Sequence, residues 1–193
     1  MPLLFDGMKV LFYIFSNILN KNIVLAFITK TLFMLVSIGQ KVPFFSLQNE
    51  KEEQISSESL IGEKYILFFY PKDDSPGCTK EACSIRDNYR ALEKLDYKVF
   101  GVSPDKAKKH QKFIDKYEFQ YSLLADTEKE MINAFGLWGP KKFMGREIVG
   151  VYRKTIIVNE EGIISHIIDK VITKAHGNQI LDVLASSNLK ATA

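Results

Sequence analysis

Residues 65–70, Tyr-Ile-Leu-Phe-Phe-Tyr, narrow the possible folds of this chain more than any other stretch. The run is too short for a membrane span and too aromatic for a surface helix. It also lacks the polar alternation of a strand with one wet face, so it reads as a buried strand that needs cover. A loop with two prolines and a glycine follows. The segment TKEACSIRDNYRALEKL then places Ala82, Ile85, Tyr89 and Leu92 at helical intervals with charges between them.

The rest of the chain repeats this alternation. Residues 98–103 (KVFGVS) form a second short apolar strand, and Asp105 is expected to cap a helix running to Tyr117. Residues 121–126 read as a strand entering a helix over 127–135. The segment KTIIVNEEGIISHII reads as a hairpin turning at Asn-Glu-Glu-Gly, and a final helix is expected over 175–186. Strand–helix alternation closed by a hairpin and a helix predicts an α/β fold, a mixed central sheet flanked by helices.

A length of 193 residues suits one domain with a real core. The net charge of +3 is spread along the chain, which argues against a nucleic-acid partner. The Lys141-Lys142 pair and the basic 106–112 segment are expected to be solvated surface. Trp138 is expected to line the rim of a site or to cover the core. His110, His166 and His176 stand apart from each other and from the cysteines, so no metal site is expected.

Residues 1–35 differ in character, being rich in Phe, Ile and Leu with no acid after Asp6. Asn20, Lys21, Asn22 and Lys30 interrupt the run and deny it a clean membrane span. Three readings stand open: a true start at Met34 with non-native residues upstream, an uncleaved membrane anchor, and a cleaved signal. The expected organisation is a hydrophobic extension over 1–35, one domain over 36–187 and a tail over 188–193. The two cysteines suit a reducing compartment, so a cytoplasmic location is expected unless the extension anchors or exports the chain.

The chemistry concentrates in Tyr70-Pro71-Lys72-Asp73-Asp74-Ser75-Pro76-Gly77-Cys78-Thr79-Lys80-Glu81-Ala82-Cys83. Cys78 falls in or just before the first turn of a helix, where unpaired N–H groups and the helix dipole favour an anion. Such a setting favours the thiolate, the form that attacks an O–O bond. Ser75 is placed to offer its hydroxyl to the sulfur or to a bound peroxide. Pro71 removes a competing N–H and stiffens the approach. Cys83 lies five residues on, which in an ideal helix separates the two Cα atoms by about 8.7 Å. A disulfide needs about 4.4–6.8 Å. Bridging therefore requires the first turn to unwind, after peroxide has turned Cys78 into a sulfenic acid that Cys83 can attack. The alternative for Cys83 is an inert core cysteine beside a one-cysteine enzyme.

The pattern Pro71-x-x-x-Ser75-x-x-Cys78 resembles the active site of the peroxiredoxins, with serine where threonine is usual. The longer string FYPKDDSPGCTKEACSIRDNY resembles the bacterioferritin comigratory protein (PrxQ) subfamily. The likeness spans roughly residues 36–185, with IGQKVPFFSL matching a first strand and WGPKKFMGREIVGVYRKTIIV a later loop and strand. It implies a thioredoxin-like fold and reduction of hydrogen peroxide and organic hydroperoxides. No cofactor is implied, recycling falls to thioredoxin or a similar dithiol, and the state is monomeric. It also implies roles: Cys78 peroxidatic, Cys83 resolving, Ser75 the hydroxyl ligand of peroxide, and Arg153 the active-site arginine. A redox sensor or holdase using the same cysteine pair is the alternative from another class. A thiol–disulfide oxidoreductase would be expected to carry Cys-x-x-Cys, which this chain lacks.

Overall fold

The computed structural model describes residues 36–143 and 145–191. The extension over 1–35 lies outside the described residues. Two short strands, β1 (Ser46–Gln48) and β2 (Gln54–Ser56), pair antiparallel ahead of the main sheet. That sheet is built from β3 (Lys64–Phe69), β4 (Tyr97–Ser103), β5 (Ser122–Ala125), β8 (Lys154–Val158) and β9 (Ile164–Ile168), in the order β5-β4-β3-β8-β9. The β3–β4 and β4–β5 pairs are parallel, whereas β3–β8 and β8–β9 are antiparallel, so the sheet is mixed. Helices α1 (Pro76–Glu93), α2 (Ala107–Tyr117), α3 (Glu130–Ala134) and α4 (His176–Ala191) complete the domain, with a β6 (Trp138–Phe143) and β7 (Arg146–Val151) hairpin.

Strand β3 is central, and its unbroken apolar sequence has a direct cause. Tyr65, Leu67 and Phe69 enter one core, with Phe135, Met131 and Val151. Ile66 and Phe68, with Tyr70 just beyond the strand, enter the other, with Ile85 of α1, Phe113 of α2 and Ile180 of α4. Side chains alternate across a strand, so a strand covered on both faces has no position for a polar residue. Each fully buried side chain of this size contributes about 1.5–3 kcal/mol relative to exposure.

Helix α1 follows from its sequence. Ser75 occupies the N-cap with extended backbone, Pro76 fills the first helical position, and the basic Arg90 sits in the last turn. Cys78, Ala82, Ile85 and Leu92 form the stripe that it buries against the sheet. The later hairpin turns as expected: Asn159 Oδ1 accepts the Ile163 N–H at 2.8 Å, and Gly162 takes the positive φ of 73°.

Several details differ from the sequence reading. Lys106, not Asp105, is the N-cap of α2, and no side chain caps that helix. The Asp105 carboxylate is engaged elsewhere, accepting from Asp73 N, Ser103 Oγ and Lys109 Nζ. Helix α3 begins only at Glu130, and α4 continues to Ala191, through most of the stretch expected to be a tail. The segment 138–151 is a paired hairpin. Its weak apolar pattern and central Gly145 conceal strands whose stability comes from pairing with each other.

Candidate active site

The loop 70–75 carries the chain from the end of β3 into α1. Tyr70 still donates its N–H to Val102 O of β4 at 3.1 Å, and Pro71 next to it has no N–H to satisfy. Since Pro76 is the first residue of α1, Cys78 is the third, inside the turn whose amides lack helical acceptors. The Thr79 N–H is the first to reach back, to Ser75 O at 2.8 Å. The Cys78 side chain is only 2% exposed, packed in the cluster that holds Tyr70, Ala82 and Ile85.

Arg153 arrives from the far side of the sequence, in the short link between β7 and β8. Its Nη2 donates to Cys78 Sγ at 3.1 Å, and its Nη1 is paired with Glu81, one turn further along α1. The planar guanidinium therefore serves two groups of the same helix at once, which a lysine could not do. Glu81 is fully buried, and its second oxygen, Oε1, has no hydrogen-bond partner. That oxygen faces His176 Nε2 at 3.8 Å.

The tautomer of His176 follows from its neighbours. Gln179 Nε2 donates to Lys170 O at 2.8 Å, so its Oε1 must accept, from Ile172 N and from His176 Nδ1, each at 3.0 Å. The ring proton is thus on Nδ1, and Nε2 accepts the Thr155 hydroxyl at 2.7 Å. Burial pushes the His176 imidazole down to about 4, so it is neutral and leaves Arg153 to balance the Glu81 charge.

Ser75 is next to the site but does not bond to the sulfur. Its hydroxyl donates to Lys72 O at 3.0 Å, which leaves only its lone pairs to accept from a peroxide O–H. Cys83 is half-buried on the same helix as Cys78, and both thiols are free. Burial pushes the Cys83 thiol up, against the opposing pull of Arg86. Helix α1 is continuous through both residues, so the separation of about 8.7 Å expected for five helical positions applies.

Two lysine and histidine expectations need correction. Lys141 is half-buried rather than solvated, its ammonium donating to Val151 O at 2.5 Å. Burial holds Lys141 below the ordinary lysine range, against an opposing pull from the Cys78 charge. His110 belongs to the 106–112 segment expected to be surface, yet it is fully buried. Its place on the inner face of α2 was signalled by Phe113, one turn later in the same apolar stripe. Trp138 packs half-buried on the core with Lys129 Nζ over its ring at 5.5 Å, which favours the covering role.

Comparison with known proteins agrees with this geometry. Residues 38–167 match the AhpC/TSA family. The chain is 38% identical over 157 residues to peroxiredoxin Bcp of Bacillus subtilis, covering 81% of this chain and 100% of that one. It is 36% identical over 146 residues to peroxiredoxin Bcp of Escherichia coli, covering 76% and 94%. Among solved structures, the Xanthomonas campestris bacterioferritin comigratory protein superposes with a TM-score of 0.71 at 26% identity, covering 78% of this chain and 99% of that one. The mixed five-stranded sheet is accordingly that of a thioredoxin-like fold. With a cysteine in the first turn of a helix, an arginine on its sulfur and these relatives, the chain belongs to the AhpC/TSA peroxiredoxin family, in its Bcp/PrxQ branch, and is a thiol-dependent peroxidase of hydroperoxides.

Proposed function

We propose that Cys78 is the peroxidatic cysteine, that Cys83 resolves it within the same chain, and that an external dithiol completes the cycle. The contact that carries this reading is the 3.1 Å donation from Arg153 Nη2 to Cys78 Sγ in the first turn of α1. The Cys78 thiolate attacks one peroxide oxygen, the O–O bond breaks, and the other oxygen leaves as an alcohol or water after gaining a proton. Arg153 is placed to hold the reacting oxygens while charge moves from sulfur to the leaving oxygen. The Ser75 oxygen is placed to accept the peroxide's own O–H.

The sulfenic acid then has to meet Cys83. The first turns of α1 unwind, Cys83 leaves the burial that raises its thiol, and its thiolate displaces hydroxide from the sulfenic sulfur to form the disulfide. Opening and activation are thus one event, because the burial that raises the Cys83 thiol is lost when the turn melts. Thioredoxin or a similar dithiol reduces the 78–83 disulfide by exchange and is itself oxidised. We assign this cycle to a monomer, as the resemblance implies, acting in a reducing compartment such as the cytoplasm, as the two cysteines suit, unless the extension over 1–35 anchors or exports the chain.

The mass of the peroxide-treated protein tests the scheme. Loss of two hydrogens with a linked 78–83 peptide is the expected product, and the Cys83→Ser variant should stop at sulfenic acid. A Cys78→Ser variant that consumed peroxide at the parent rate would refute the assignment. Disulfide formation without sustained, dithiol-driven turnover would point instead to a redox sensor.

A further inference from the structure

The loop that delivers Cys78 is tied down at its root by groups that play no part in the scheme above. Asp73, five residues before Cys78, is 2% exposed. Its Oδ2 meets Nδ1 of the fully buried His110 on α2 at 2.8 Å, and its Oδ1 accepts the Tyr70 hydroxyl at 2.7 Å. Its own N–H donates to Asp105 Oδ2 at 2.7 Å. His110 Nε2 faces Leu124 O at 3.2 Å, and a carbonyl only accepts, so Nε2 carries a proton; the contact between Nδ1 and Asp73 Oδ2 holds a second proton, shared by the ring and the carboxyl. Burial and the Asp73 carboxylate hold the Tyr70 hydroxyl well above its ordinary range, so it stays a donor. Asp74, at a positive φ of 56°, continues the attachment: its carboxylate accepts from Lys116 Nζ and Tyr117 OH of the same helix, each at 2.7 Å.

A buried carboxylate–imidazole pair is a poor way to gain stability, since desolvation offsets most of the attraction and apolar packing of equal volume does as well or better. Directed hydrogen bonds do supply something apolar contact cannot: they set the position of one backbone segment to a fraction of an ångström. Here that segment is the start of the loop, and the next fixed point along the chain is the first turn of α1. We propose that His110 is a positioning residue for the peroxide step, acting through Asp73 to fix the loop from which α1 begins and so to hold Cys78 Sγ against Arg153. This rests on Cys78 being the peroxidatic cysteine. The clamp also marks where unwinding stops, because Asp73 and Asp74 stay with α2 when the turn beyond them opens.

The test is single-turnover oxidation of the full chain by hydrogen peroxide. Rapid thiol quenching followed by mass analysis separates the sulfenic-acid step from the disulfide step. His110→Phe keeps an aromatic ring but no bond to Asp73. His110→Gln keeps an amide N–H donor for Asp73 but, with one nitrogen, gives up the second donation to Leu124 O. Misplacement of a reacting group by about 1 Å costs up to about a hundredfold. His110→Phe should therefore slow the sulfenic-acid step about tenfold or more and leave the disulfide step unslowed. His110→Gln should restore most of the rate.

A folded His110→Phe that oxidises within about twofold of the parent overturns the proposal. So does equal slowing of Phe and Gln variants in proportion to lost thermal stability, which is what a purely structural role predicts. If His110→Phe does not fold, Asp73→Leu against Asp73→Asn makes the same comparison, judged by the same outcomes. Asparagine can still accept from Tyr70 and donate to His110, whereas leucine can do neither. The unaltered chain is the control: failure of its Cys78 to oxidise would defeat the peroxidatic assignment, whereas parent-like His110 variants defeat the positioning role alone.

Discussion

Arg153 Nη2 lies 3.1 Å from Cys78 Sγ, although 75 positions separate the two residues in sequence. The same guanidinium pairs with the buried Glu81. Arg153→Lys should lower the second-order rate of Cys78 oxidation about a hundredfold, as loss of a preorganised donor typically does. A lysine keeps the charge but cannot span sulfur and carboxylate together. Arg153→Met should also lower stability by about 3 kcal/mol, because it leaves Glu81 buried with no counter-charge. Stopped-flow oxidation and chemical denaturation measure the two effects separately.

Opening of the turn between the cysteines should be adjustable without touching the site. Lys80 lies between them on α1 with its side chain exposed. Lys80→Gly weakens the helix there by up to about 1 kcal/mol, equivalent to about a three- to fivefold rise in the open population. The disulfide phase of a single turnover should accelerate by about that factor, with the sulfenic-acid phase within about twofold of the parent. A disulfide phase that does not respond would show that opening is not what limits it.

His176 sets a pH dependence of stability. Its imidazole is pushed from 6.5 down to about 4 by burial, so between these values the unfolded chain binds a proton that the folded chain excludes. The stabilisation is complete above pH 6.5 and is lost as pH falls towards 4, by about 3 kcal/mol in all. Urea midpoints at pH 7 and pH 4.5 should therefore differ more in the parent than in His176→Asn.

Gly177 is the point where α4 meets α1. Its N–H donates to Ser84 Oγ at 3.1 Å, and a Cβ there would run into Ser84 O and the Asn88 side chain. Gly177→Ala should cost about 1–3 kcal/mol, as overpacking of a close contact does. Thermal unfolding measures it, and a variant of unchanged stability would mean that the helices can separate without loss.

The sequence by itself determined a good deal here, and for local reasons. Continuous apolar residues at 65–70 require a strand covered on both faces, and Ser75-Pro76-Gly77 starts a helix that presents Cys78 in its first turn. A spacing of five helical positions from Cys78 to Cys83 already separates them too far to bridge. Each of these follows from backbone geometry over a few neighbouring positions. What tertiary structure alone decided is which distant groups meet that turn. Arg153 reaches the sulfur because β8 pairs with β3, bringing the start of one strand beside the end of the other. His110 joins Asp73 because α2 packs across the same face of the sheet as α1. Lys141 turns inward only because β6 and β7 pair. A charged residue bears no local mark of its partner, and strand order and helix packing supply that partner from elsewhere in the chain.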